Sequence, residues 1–181
     1  MSLRVVAGSA GGLHLKTPKG VTLRPTQDRI KQAMFSSLGA RVPGARVLDL
    51  YAGTGALGIE ALSRGAREAV FVEKERNGCR TITENLAHCR LETQGQVIQA
   101  DALSYLRGTP RPFDLIFADP PYEKEAQAPP SPLPGLLRPW LAPGGAFIWE
   151  FFSGRDLPDL PGWTPLFHRR YGETTVAILT S

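Results

Sequence analysis

The 181-residue chain has few of the residues that would define a disulfide, a metal centre or a membrane span. Its two cysteines, Cys79 and Cys89, fall in one helix-like segment. Ten helical positions put them ~15 Å apart, which forbids a disulfide and leaves two reduced, half-buried thiols as the expectation. The three histidines, His14, His88 and His168, stand far apart with no ligand-like spacing, so no metal site is expected. No apolar run approaches the ~20 residues needed to cross a bilayer, and no leader-like segment precedes the first strand-like stretch. A cytoplasmic protein with no membrane partner is therefore expected. Disorder is excluded by a hydrophobic fraction of 42%.

Acidic residues are scarcest near the start. Residues 1–46 hold eight basic side chains (Arg4, Lys16, Lys19, Arg24, Arg29, Lys31, Arg41 and Arg46) against one acid, Asp28. Because the net charge is +4, the rest of the chain is mildly acidic. A basic segment on an acidic body is either a face for a polyanion or a solvated surface.

What is present is alternation. Residues 4–8 and 13–15 are strand-like around a Ser9-Ala10-Gly11-Gly12 turn, which predicts an N-terminal hairpin. Thr26 is a natural N-cap for a helix whose apolar stripe is Ile30, Ala33, Met34 and Leu38, stopped by Gly39. After Pro43-Gly44, strand-like segments at 47–50, 69–73, 96–98, 114–118 and 146–149 alternate with helical ones at 57–62, 75–89, 102–106 and 133–141. This pattern specifies a parallel sheet wrapped by helices. Residues 164–171 and 174–179 then read as a closing antiparallel hairpin turned at Gly172. The expected fold is α/β and Rossmann-like, with a mostly parallel seven-stranded sheet. Residues 1–40 form an extension packed on a core of residues 41–181. Residues 123–134 form a loop rich in proline and alanine.

Two motifs carry chemistry. Asp49-Leu50-Tyr51-Ala52-Gly53-Thr54-Gly55-Ala56-Leu57-Gly58 joins a strand to a helix, and glycines there let the backbone turn sharply and approach a ligand. Glu73 ends the next strand, where its carboxylate can accept both ribose hydroxyls. The same residues fit a dinucleotide fingerprint, so the motif alone leaves NAD open. Asp49, placed within the strand, favours instead a cofactor that carries an ammonium and a sulfonium. Asp101 ends another strand-like segment. It is suited to receive an adenine amine, and equally to cap a helix.

The second motif, Asp119-Pro120-Pro121-Tyr122, follows a hydrophobic strand directly. An aryl amine is a poor nucleophile because its lone pair is delocalised into the ring. A carboxylate (Asp119) and a carbonyl (Pro120) that accept the amine hydrogens help as the nitrogen pyramidalises. The prolines remove amide donors, so the turn presents acceptors only. Tyr122 offers a flat face on which an extruded base can stack.

With these residues in hand, the chain resembles the bacterial 16S rRNA guanine-N2 methyltransferases, the RsmD-like family. The resemblance runs nearly end to end. Its marks are Arg4-Val5-Val6-Ala7-Gly8, Arg24-Pro25-Thr26-Gln27-Asp28-Arg29, the Asp49–Gly55 stretch, Asp119-Pro120-Pro121-Tyr122 and Arg170-Tyr171-Gly172-Glu173-Thr174. It implies a class I S-adenosylmethionine-dependent methyltransferase, monomeric, acting on 16S rRNA in 30S subunits or their assembly intermediates. Asp119, Pro120 and Tyr122 would be catalytic. Asp49, Tyr51, Gly53, Gly55, Glu73 and Asp101 would hold S-adenosyl-L-methionine. The concentration of basic residues in 1–46 makes Arg4, Arg24, Arg29 and Lys31 the expected RNA contacts. Residues 126–134 depart from the family in their proline and alanine content. The catalytic tetrapeptide is shared with adenine-N6 methyltransferases of DNA or RNA. That activity, and a non-catalytic RNA-binding assembly factor on the same scaffold, stand as the alternatives.

Overall fold

The computed structural model describes residues 3–18, 27–121, 131–154 and 156–181. Helix α1 (Gln27–Leu38) leads into seven strands and four further helices: β1 (Arg46–Leu50), α2 (Ala56–Ser63), β2 (Glu68–Glu73), α3 (Arg76–His88), β3 (Gly95–Gln99), α4 (Ala102–Leu106), β4 (Phe113–Ala118), α5 (Leu133–Leu137), β5 (Leu141–Phe152), β6 (Thr164–Tyr171) and β7 (Thr174–Thr180). They form one sheet of order β3-β2-β1-β4-β5-β7-β6. The first five strands are parallel, and β7 runs antiparallel between β5 and β6. Chain order reverses between β1 and β4, so the loops leaving those two strands diverge and open a crevice at their carboxyl ends.

Both faces of the central strands are covered, which is why β1, β2, β4 and β5 carry apolar runs without alternation, whereas the edge strand β6 is exposed. On one face Val47, Phe71, Phe117 and Ile148 pack with Ile30, Met34 and Phe35 of α1, Ile59 and Leu62 of α2, and Ile82 and Leu86 of α3. On the other, Leu48, Val70, Ile116 and Phe147 meet Leu106, Leu133, Leu137 and Trp140. Leu3, Val5 and Leu15 of the N-terminal segment belong to the first of these clusters. The segment is thus seated in the core rather than laid over it.

Three expectations shift. The N-terminal hairpin pairs through a single bridge, Arg4 with His14, closed by Val5 N–H to Leu13 O at 2.9 Å and Leu15 N–H to Leu3 O at 2.8 Å. The helix expected over 133–141 stops at Leu137 and continues as a 3-10 turn, Arg138–Trp140. Pro139 lacks the amide that another α-turn would use. β5 is longer than residues 146–149, because Leu141 already pairs with Phe113 before a bulge carries the ladder to Leu115 and Ala146. The expected cap Thr26 lies outside the described residues. Among those residues no helix is long and apolar enough to cross a membrane.

Candidate active site

The turn after β1 needs backbone conformations that few residues tolerate. Tyr51 and Gly53 both have φ 57°, and Gly55 has φ 79°. Glycine takes this left-handed region freely, whereas Tyr51 does so at a cost of ~1–3 kcal/mol. Strain held by a non-glycine residue marks a turn whose shape is over-determined by its surroundings, and the Tyr51 side chain lines the crevice.

Two buried acids brace this turn from behind. Asp49, 2% exposed, accepts a hydrogen bond from the Gly58 amide at 2.9 Å. Burial pushes its pKa up to about 8, against the pull of the Gly58 amide, and the Asp119 and Glu73 carboxylates add to the rise. A methyl group at Gly58 would stand 2.3 Å from Phe71 Cε1, so only glycine fits between strand and helix. Glu73, at the end of β2, accepts from Gly53 N–H and Glu75 N–H, each at 2.8 Å. A carboxylate has about four acceptor sites, so two amides fix its orientation and leave capacity for a ligand.

Glu73 lines a cleft of about 380 Å³ together with Tyr51, Lys74, Asp101, Asp119, Pro120 and Pro121. Two of the sequence-predicted cofactor acids, Glu73 and Asp101, and the Asp-Pro-Pro turn, separated along the chain, therefore share one cavity. Asp49, Gly53 and Gly55 do not line it; the Gly53 amide holds Glu73, and Asp49 holds the Gly58 amide. Asp101 does cap α4, accepting from Ser104 N–H at 2.9 Å, which holds its carboxyl below the usual range. It also lines the cleft, so the two readings of this residue are compatible. Tyr122 and Arg24 lie outside the described residues.

The basic residues divide. Arg29 is exposed. Arg4 is exposed and paired with Asp28 at 2.7 Å, a surface contact worth ~1 kcal/mol at most. Lys31 departs from the expectation that it contacts RNA. It is 3% exposed and donates to the Arg4 carbonyl oxygen, with its ammonium 3.5 Å from Glu60. Desolvation lowers its pKa despite that carboxylate. A phosphate cannot reach it in this position, because helix α1 turns the residue inward beside Ile30 and Met34 rather than outward with Arg29.

Three residues that the sequence reading passed over organise the site. Gly78 lies where α3 crosses Glu73, and a Cβ there would come within 2.7 Å of Glu73 Cγ. Asn85 is fully buried. It donates to Thr54 O at 2.9 Å in the glycine turn and to Lys16 O at 3.1 Å, and it accepts from Lys16 N–H at 2.8 Å. Glu60, also fully buried, accepts from Val6 N–H at 2.7 Å and Ala7 N–H at 3.0 Å. Gly78, Ile82, Asn85 and Leu86 share one helical face by their spacing, and Glu60 is a lone acid in an apolar run. Those were the available signals. Gly78→Ala should displace the Glu73 carboxylate and cost roughly tenfold or more in cofactor affinity. Titration calorimetry with S-adenosylhomocysteine reads this directly, and unchanged affinity would clear the crossing of any role.

A doubly wound sheet whose last strand is inserted antiparallel before the edge is the class I S-adenosylmethionine-dependent methyltransferase fold. Residues 3–180 match the family described as "Conserved hypothetical protein 95", and the chain belongs to it; this is the RsmD-like family that its motifs resemble. YlbH of Bacillus subtilis (strain 168) is 40% identical over 185 residues, covering 97% of each chain. "Ribosomal RNA small subunit methyltransferase D" of Escherichia coli (strain K12) is 35% identical over 88% of this chain and 79% of its own. The solved structure of yhhF from Escherichia coli superposes with a TM-score of 0.87 at 30% identity, covering 99% of this chain and 97% of that one.

Proposed function

We propose that this protein transfers a methyl group from S-adenosylmethionine to the exocyclic N2 amine of a guanine in 16S rRNA, on the small ribosomal subunit or an assembly intermediate. The observation that carries the reading is the shared cleft. It places the acceptor-only turn Asp119-Pro120-Pro121 beside Glu73 and Asp101. The names of the relatives support rRNA as the substrate class.

The residues present fit the cofactor. Glu73 would accept the ribose hydroxyls and Asp101 the adenine amine. The strained turn at 51–55 brings backbone close to the ligand, and the carboxylates of Asp49 and Glu73 suit a cofactor that carries a sulfonium and an ammonium. When bound, the cofactor supplies an electrophilic methyl group. Asp119 and the Pro120 carbonyl would orient the target amine and take up its hydrogen bonds as positive charge develops on nitrogen. Tyr122 would stack on the extruded base.

Incubation with 30S subunits from cells lacking this enzyme, followed by mass spectrometry of the nucleosides, tests the reading. N2-methylguanosine is the expected product. N6-methyladenosine would select the adenine-specific alternative, and no methylated nucleoside would leave a binding role on an inactive scaffold.

Cofactor binding should also be coupled to protons. Asp49 holds a proton up to about pH 8 in the free protein, and a nearby cation favours its ionised form. Affinity for S-adenosylmethionine should therefore rise with pH between 6 and 8, by up to ~10-fold per unit, and then level off. Asp49→Asn should flatten the profile. The same group acts oppositely on stability. Its folded pKa lies above the ordinary value of 3.8, so its contribution to stability falls as pH climbs from about 4 to 8. A flat affinity profile in the parent protein would remove Asp49 from the linkage.

A further inference from the structure

The β6–β7 hairpin carries a motif that the cleft does not use. His168, Arg169 and Arg170 are consecutive and exposed on β6, the edge strand of the sheet among the described residues. Among the described residues no carboxylate pairs with Arg169 or Arg170. We infer that this edge is a second contact surface for RNA backbone, set across the catalytic turn from the N-terminal segment. The inference rests on the proposed RNA substrate and assigns where that RNA runs.

Register places the patch. Ala118, which precedes Asp119, pairs with Trp149; Trp149 pairs with Ala177, and Ala177 with His168. β4, β5 and β6 run in the same direction. The row through Glu150 and Val176 therefore aligns Asp119 with Arg169, and the next row, through Phe151 and Thr175, aligns Pro120 with Arg170. Three strand spacings put the two arginines ~14 Å from the catalytic turn. That is a few nucleotides of backbone from a base held at Asp119. On the other side of β4, α2 packs on β1 and β2, and α3 on β2 and β3. Those two helices hold the N-terminal segment through Glu60 and Asn85. The N-terminal segment and the β6 arginines thus lie on opposite sides of the catalytic strand.

The patch is rigid, which lowers the cost of binding. Ser153 N–H donates to Glu173 O at 2.9 Å and Ser153 Oγ to Gly172 O at 2.7 Å, which ties the hairpin turn to the end of β5. Arg170 Nε donates to Gly172 O at 3.1 Å, and this aims the guanidinium while leaving its terminal nitrogens. Successive side chains point to opposite faces, so the basic groups straddle the edge. The edge itself is blunted against strand addition, since Pro165 has no amide and a register shift separates it from Phe167. Positive charge on a blunted edge favours RNA over a second copy of this chain.

The test compares the full-length parent with Arg169→Ala/Arg170→Ala and Arg169→Glu/Arg170→Glu in binding to 30S subunits and to a 16S rRNA fragment across a salt series. The alanine pair should lower affinity about tenfold at 0.15 M salt and flatten the log–log salt slope by ~1.4, or ~0.7 per contact on single-stranded RNA. The glutamate pair should weaken binding further. Melting temperature and S-adenosylhomocysteine affinity should not move. Arg67→Ala, exposed at the amino end of β2 on the opposite rim, should leave the slope as it is. A parental slope in both double variants, or no RNA binding by the parent, overturns the assignment. So does a concentration-dependent dimer that the variants abolish while RNA binding persists. Methylation is scored separately: absence of product from the parent defeats the proposed reaction, whereas the slope reads the hairpin whatever the product.

Discussion

Asp119→Ala should slow single-turnover methyl transfer by about two orders of magnitude or more, equivalent to ~2.7 kcal/mol of transition-state stabilisation. The expectation follows from when its hydrogen bonds matter. In the ground state the target amine is nearly neutral, and an acceptor beside it gains little over water. As the carbon–nitrogen bond forms, the amine hydrogens become acidic and the same contacts strengthen, so they lower the barrier more than they tighten binding. Cofactor affinity should be nearly unchanged, since Asp119 sits on the rim of the cleft and Glu73 and Asp101 remain. A small gain is expected near neutral pH, because removing the Asp119 charge eases ionisation of Asp49. Asp119→Asn, which keeps one carbonyl acceptor, should fall between parent and alanine. The Pro120 carbonyl survives in both variants and accounts for the residual rate. Rapid-quench transfer of labelled methyl to 30S subunits is the measurement. Parental single-turnover rates in Asp119→Ala would mean that another group accepts the amine hydrogens.

The parts of the site that were legible in the sequence are those encoded locally. Glycines after an apolar strand, an acid at the next strand end and Asp-Pro-Pro each announce themselves within a few residues, because backbone geometry and chemistry are set there together. β1, β2, β4 and β7 were legible for the same reason, since a strand buried on both faces is an unbroken apolar run, whereas β6, exposed along most of its length, was legible only with the Gly172 turn that joins it to β7. The misread elements depend on partners far along the chain. β5 begins at Leu141 because Phe113 is there to pair with it, and no property of residues 141–145 alone says so. The basic composition of residues 1–46 points Lys31 at a phosphate, and its inward turn is explained by partners that composition does not reveal, the Arg4 carbonyl and Glu60, twenty-nine positions away. Gly78 reads as a weak spot in a helix until Glu73 is placed beneath it.

Glu60 is where the largest effect on stability should fall. Its carboxylate, fully buried in α2, accepts from two backbone amides of the N-terminal segment, sits 3.5 Å from the Lys31 ammonium and bonds Arg64 Nε at 2.7 Å. Glu60→Ala should destabilise the protein by ~3–5 kcal/mol, because it leaves Lys31 buried without its anion. In a domain of this size that lowers the melting temperature by about 10 °C. Ordinary buried ion pairs can often be replaced whole by apolar residues of similar volume without loss. Here that remedy should fail. Lys31→Met/Glu60→Leu removes both charges of that pair, yet it takes the acceptor from the part-buried Val6 and Ala7 amides and the carboxylate from Arg64, and each unsatisfied buried donor costs up to ~1–3 kcal/mol. Glu60→Gln should do better than the apolar pair, since its carbonyl oxygen can still accept from at least one of those amides. The order of melting temperatures, parent above Glu60→Gln above Lys31→Met/Glu60→Leu, distinguishes a carboxylate that holds backbone from one that merely pairs with Lys31. If the apolar pair melts with the parent, the amides are satisfied some other way and Glu60 is an ordinary ion-pair partner. Amide exchange at Val6 and Ala7 should quicken in step with the lost stability, because the N-terminal segment can leave its seat on α2 only when those two bonds open.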